Sequence, residues 1–160
     1  MKKGYLSLLL IFLSALAFAP HLLNAQTAAE MDAMLAADTV SASKAARFVL
    51  DAADLLQPGL SGGDAEKAAY DMASQKGWIK TGAGDAVTLK DTAFLIMKAF
   101  NLKGGVMYSL FKNPRYAYRE MVYRKLIGGR MDQAMNVSGP ALLLILDKTI
   151  SYSSGEGGPK

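Results

Sequence analysis

Apolar residues recur at helical spacing through most of the chain beyond residue 27, and three of these stretches open in the same way. Val87-Thr88 is followed by Leu89, Ala93, Ile96, Met97 and Phe100. Val137-Ser138 is followed by Leu143, Leu146 and Ile150 at the places of Ala93, Ile96 and Phe100, and Val40-Ser41 by Ala46, Val49 and Ala53. In each case Ser41, Thr88 or Ser138 is placed to accept a backbone N–H bond from the first helical turn, and Thr88 with Asp91 approximates a capping box. The pattern predicts three capped helices.

Another helical stretch precedes each of the last two. Ala68, Met72 and Lys76 in the earlier stretch recur as Ala117, Met121 and Lys125 in the later one, while Ala73 and Trp78 become Val122 and Ile127. Asp64 is the expected cap of the earlier stretch and Gly77 its end; Asn113-Pro114 opens the later one and Gly128-Gly129 closes it. The sequence therefore predicts a small all-α bundle of repeated helix-loop-helix units. A partial unit covers 26–56, a Pro/Gly/Ser linker 57–63, and full units 64–102 and 114–152, with a connector at 103–113 and a flexible, Gly-rich tail at 153–160. Val106-Met107-Tyr108 in the connector reads as extended.

The first 25 residues change the picture of where the protein works. Lys2 and Lys3 precede an apolar run from Leu6 to Ala19 that is shorter than the ~20 helical residues needed to span a bilayer. This is the pattern of a signal peptide, with cleavage expected after Ala25, and an uncleaved N-terminal anchor is the alternative. The expected location is the periplasm or cell envelope, with no integral span left after cleavage.

The chain has no cysteine, and its one histidine, His21, falls within the leader. The 18 basic residues less Lys2 and Lys3 leave 16 against 14 acidic ones, a formal charge of +2. Without His or Cys, the mature chain lacks the usual general base near neutral pH and the commonest zinc ligands. These features predict a protein that is not an enzyme and carries no cofactor or metal.

A helix followed by Gly and an apolar Trp or Ile, then a loop and a Thr-capped apolar helix, resembles the S-layer homology repeat. Lys76-Gly77-Trp78-Ile79 and Val87-Thr88-Leu89-Lys90-Asp91 carry the resemblance best, Pro114 to Ile150 gives a second match, and Val40 to Leu55 gives half of a third. The resemblance implies an all-α repeat fold and binding to an acidic cell-wall polysaccharide. In the family the capped helix opens Thr-Arg-Ala-Glu, and its arginine helps bind the polymer. Here the openings are Thr88-Leu89-Lys90-Asp91, Ser138-Gly139-Pro140-Ala141 and Ser41-Ala42-Ser43-Lys44, with no arginine in second place, and the Asp-Gly-x-Phe turn of the family loop is missing.

Three other patterns bear on chemistry. Ser41-Ala42-Ser43-Lys44 and Lys80-Thr81-Gly82 match two of the three marks of serine acylating enzymes, but Ser-Asp-Asn is absent and Lys80-Thr81-Gly82 falls in an interhelical loop. Asp51 and Asp54, one turn apart, read as a solvated helix face. The segment from Lys112 to Arg130 is the strongest candidate site. On a helix, Arg115, Arg119, Tyr123 and Tyr116 share an arc of about 100°, with Arg130 nearby. Guanidinium forks suit carboxylate or phosphate, and tyrosine rings suit sugars. The expected partner is an acidic cell-wall or envelope polymer, or an envelope or outer-membrane protein docked by an adaptor. Nucleic acid is excluded by the small net charge outside the cytoplasm.

Overall fold

The computed structural model describes residues 28–129 and 131–155; the leader 1–25, Arg130 and the last five residues lie outside it. The chain divides into two compact units, one ending at Leu35 and the other beginning at Ala36. The first contains the helical stretch 28–35 (α1). The second holds α2 (Ala42–Ala52), α3 (Gly62–Gln75), α4 (Leu89–Ala99), α5 (Val106–Phe111), α6 (Pro114–Tyr123) and α7 (Gly139–Ser153). The described residues are all-α: they contain no strand, only the isolated antiparallel bridges Ser41 to Ala86 and Thr88 to Asn136.

The first N–H groups of a helix lack intrahelical acceptors, and α2, α4 and α7 satisfy theirs in matching ways. Ser41, Thr88 and Ser138 are the N-caps, each accepting at 3.4 Å from the third helical residue, Lys44, Asp91 or Ala141. The first helical N–H groups, of Ala42, Leu89 and Gly139, donate to the carbonyls of Asp85, Met135 and Ala37 at 2.8–3.0 Å. The second N–H groups, of Ser43 and Lys90, donate to Ala83 and Gln133 at 3.0 Å. In α7 that second place is Pro140, which has no N–H to satisfy. Replacing Thr88 or Ser138 by alanine is expected to destabilise the protein by about 0.5–2 kcal/mol, and replacement by glycine by less, measured by chemical denaturation.

One residue before these caps, the three valines close a ring. Val40 N–H donates to Val137 O at 2.9 Å, Val137 N–H to Val87 O at 3.0 Å, and Val87 N–H to Val40 O at 2.9 Å. All three are buried. Counted from each cap, three successive core positions are also buried in all three helices: Ala42, Leu89 and Gly139; Ala45, Thr92 and Leu142; Val49, Ile96 and Leu146. Thr92 is the polar member of the set, and its Oγ1 has no hydrogen-bond partner. The resemblance of apolar places is looser near the helix ends, where Phe100 is partly buried and Ile150 is exposed.

Helix α2 packs against α3, α4 against α6, and α2 also against α4 and α7. The opening helix of each predicted unit thus lies mainly against the capped helix before it in the chain, because the long loops 76–88 and 124–138 carry the chain away before the next helix starts.

Several boundaries differ from expectation. Asp64 is not the cap of α3: the helix starts at Gly62 with Ser61 as cap, so the linker stops at Ser61 and Asp64 adds negative charge to the first turn. Gly77 ends α3 as expected. It is left-handed, and the N–H groups of Gly77 and Trp78 return to the carbonyls of Ser74 and Ala73. Helix α6 ends at Tyr123, well before Gly128-Gly129, in the same motif built on Lys125 at φ 61°, with Lys125 and Leu126 returning to Val122 and Met121. The matched motifs pair Gly77 with Lys125, and hence Ala69 and Ala73, both buried, with Ala117 and Met121. That register is one residue away from the one read from the sequence. A left-handed lysine is strained where glycine is not. Lys125→Gly is expected to stabilise the protein by ~0.5 kcal/mol in urea denaturation, after the extra freedom of glycine in the unfolded chain.

The connector is the other correction. Val106-Met107-Tyr108 is helical, not extended: Gly105 caps α5, Ser109 Oγ donates to the Gly104 carbonyl, and buried Tyr108 anchors the turn. Gly104 is needed there, since a Cβ would stand 2.3 Å from the Tyr108 ring. Helix α7 runs through Ser153, the residue at which the tail is expected to begin.

Candidate functional site

Helix α6 is opened by Asn113, whose side chain accepts from Tyr116 N–H at 3.1 Å, with Pro114 preset for the first turn. Ala117 and Met121 are buried. At 100° per residue, Arg115, Arg119 and Tyr123 occupy the opposite side of the helix. Both arginines are exposed, and neither has an ion-pair partner among the described residues. Tyr123 is 84% exposed. Tyr116 sits at the edge of this arc, partly buried and stacked on Phe111 with ring centroids 5.5 Å apart. Arg130 lies outside the described residues.

The sequence missed what lies at the foot of this face. Arg124 is only 16% exposed in its side chain, and each of its three guanidinium nitrogens donates a hydrogen bond. Its Nε donates to Glu120 Oε1 at 2.8 Å, one terminal nitrogen donates to Tyr152 Oη at 2.8 Å, and the other donates to the Lys103 carbonyl. The guanidinium also lies 5.2 Å from the Tyr152 ring centroid. Glu120 Oε2 in turn accepts from Gly105 N–H at 2.9 Å. One ion pair therefore ties α6 to α7 and to the connector before α5.

Beside it opens a cleft of about 700 Å³ between the end of α6 and α7, lined among others by Tyr123, Lys125, Leu126, Asp147, Lys148 and Tyr152. Tyr123 joins the exposed arc to this cleft, while Arg115 and Arg119 lie outside it along the helix. From Arg115 to Tyr123 the helix rises about 12 Å. The arrangement offers two unpaired guanidinium forks, an exposed ring and a cleft with Lys125 and Lys148 at its wall. It is suited to holding an extended anion by charge and stacking.

The other sequence patterns resolve differently. Ser41 Oγ serves as a helix cap and lies 3.2 Å from Ser43 Oγ, and Lys44 is exposed. Lys80-Thr81-Gly82 is loop, with the Thr81 carbonyl accepting from Tyr70 Oη at 3.0 Å. Asp54 is not on the helix with Asp51 but follows its end at φ 53°. Among the described residues, no three His, Cys, Asp or Glu side chains are grouped to hold a metal ion, and no helix is long and apolar enough to cross a membrane.

Comparison with protein-family models, curated proteins and solved structures returns no match. The functional reading rests on the chain's own geometry.

Proposed function

We propose that this chain is a non-catalytic, exported binding or scaffolding module of the cell envelope, made of helix-loop-helix units like those of the S-layer homology repeat, and that it holds an acidic cell-wall or envelope polymer. The repeat reading is supported by the closed Val40–Val137–Val87 ring and by the matching satisfaction of the three helix starts. The polymer reading is carried by one observation: Arg115, Arg119 and Tyr123 stand exposed on the face of α6 opposite buried Ala117 and Met121.

The place of the family's arginine is taken here by Ala42, Leu89 and Gly139, all buried. A polymer therefore has to find its cations elsewhere, and the α6 face supplies them. The chain laid along α6 meets Arg115, then Arg119, then the ring of Tyr123 at the mouth of the cleft. Pull-down on purified cell wall, set against detergent-solubilised envelope, tests the assignment. Retention on cell wall supports it, and capture of a protein from the solubilised envelope with no retention on cell wall refutes it in favour of an adaptor.

A further inference from the structure

The stretch between Asp91 and Glu120 holds Lys98, Lys103, Lys112, Arg115 and Arg119 and no acidic residue. Its three lysines share one feature of the fold. Lys98, Lys103 and Lys112 line a cleft of about 430 Å³ between the end of α4 and α5, together with Met97, Leu102 and Tyr108, and among the described residues no carboxylate lines it. Lys103 and Lys112 are exposed, and neither has an ion-pair partner among the described residues. Lys98 is half-buried, with its ammonium 5.3 Å from the Phe94 ring centroid. Glu120, whose carboxylate reaches Gly105 beside the cleft, is committed to that N–H and to Arg124. The cleft is therefore positive, and its charge is not offset by the chain.

Two features set it apart from a solvated group of lysines. Tyr108 is only 6% exposed, yet its hydroxyl makes no hydrogen bond within the described fold. A tyrosine buried to this degree ordinarily has a partner for its hydroxyl. Burial also raises the phenol pKa, so the group stays a neutral O–H donor. The wall of the cleft, moreover, is fixed before any ligand arrives. Arg124 donates to the Lys103 carbonyl, Ser109 Oγ donates to the Gly104 carbonyl, and Gly105 N–H donates to Glu120. A wall tied at three consecutive residues has little freedom left to lose on binding.

We propose that this cleft binds a small phosphate monoester, with the phosphoryl group held by Lys98, Lys103, Lys112 and the Tyr108 hydroxyl and the organic part resting on Met97, Leu102 and the Tyr108 ring. Ammoniums are compact point charges that suit the rounded charge of a phosphate, whereas the flat carboxylate is matched better by a guanidinium fork. A terminal phosphate has its second pKa at about 6 and so carries nearly two charges at neutral pH. It therefore meets three cations better than the single charge of a carboxylate or a diester does. The cleft is also roomier than a bare phosphate needs, and its volume lies in the ~300–1,000 Å³ range of small-molecule sites. None of Arg115, Arg119 and Tyr123 lines it, so the site is separate from the polymer face on α6.

The test is calorimetric titration of the full chain with phenyl phosphate at low ionic strength and pH ~7.5, above the second phosphate pKa of about 6. Saturable binding is expected, weaker with benzoate and absent with phenol. Lys103→Gln combined with Lys112→Gln should raise the half-saturating concentration by about tenfold, since both ammoniums are solvent-exposed and each contact is worth less than a buried one. Tyr108→Phe should raise it by about fivefold, the equivalent of one hydrogen bond. Its stability to chemical denaturant should not fall, because the hydroxyl it removes has no partner in the described fold.

No saturable binding of phenyl phosphate, binding of phenol as tight as that of phenyl phosphate, or unchanged affinity in either variant overturns the proposal. So does an equal loss of affinity in the Arg115→Gln, Arg119→Gln protein, which would place the anion on α6. Sedimentation with cell wall does not enter any of these readings. Failure here is therefore distinct from failure of the polymer reading.

Discussion

Arg124→Met is expected to destabilise the protein by about 2–3 kcal/mol. Removing one member of a well-buried ion pair costs ~3–5 kcal/mol because the other is left charged without its partner. Arg124 and Glu120 retain 16 and 15% side-chain exposure, so water offsets part of that cost. The loss is not confined to the pair, since Tyr152 Oη and the Lys103 carbonyl lose their donor in the same substitution. Arg124→Lys should recover only part of the stability, because an ammonium cannot direct three donors to Glu120, Tyr152 and Lys103 at once. Chemical denaturation of the two variants decides the matter. A loss below ~0.5 kcal/mol for the methionine protein would mean that the cluster is a surface feature without structural weight.

Arg115→Gln combined with Arg119→Gln is expected to remove most sedimentation with cell-wall material, weakening binding by about a hundredfold or more at two charge-assisted contacts of ~1.5–3 kcal/mol each. Stability should stay within ~0.5 kcal/mol of wild type, because both side chains point to solvent and form no ion pair within the described fold. Tyr123→Ala separates the two components of the contact. It removes a ring that is 84% exposed and hence costs the fold little, yet it should weaken binding even at high salt, where stacking persists and charge attraction does not. A double glutamine protein that sediments like wild type would move the binding surface off α6.

The capped helices were legible because a cap is a local device: Ser41, Thr88, Ser138 and Asn113 each announce a helix start within four residues of sequence. The valines in front of them are legible as a repeated signature, but not as a ring, since nothing local says that Val40 meets Val137. The register between α3 and α6 misleads because alanine and lysine recur at generic helical spacing. Only the burial of Ala69 and Ala73, and the left-handed turns at Gly77 and Lys125, fix it. The end of α6 is hidden for the same reason, as a lysine carries no signal for a conformation that glycine usually supplies.

Helix α5 was missed because β-branched and aromatic residues favour extended chain, and the burial of Tyr108 that accompanies its helical state is not announced by any periodic pattern. Of the candidate site, the Arg115, Arg119, Tyr123 arc follows from helical periodicity alone. The cleft does not, because Asp147, Lys148 and Tyr152 reach it from α7 and Arg124 is fixed by groups on three separate segments.

The proposed binding is an electrostatic grip on an acidic polymer by one face of one helix. The most direct test is the fraction of wild-type protein sedimenting with purified cell wall as sodium chloride is raised from low concentration through physiological ionic strength, where the screening length falls to ~8 Å, and toward 1 M, where it is ~3 Å. The predicted result is a progressive loss of bound protein, steepest at low salt, with a residual fraction that disappears in the Tyr123→Ala protein. Binding that stays constant across the series, or is absent at its lowest salt, would contradict the claim.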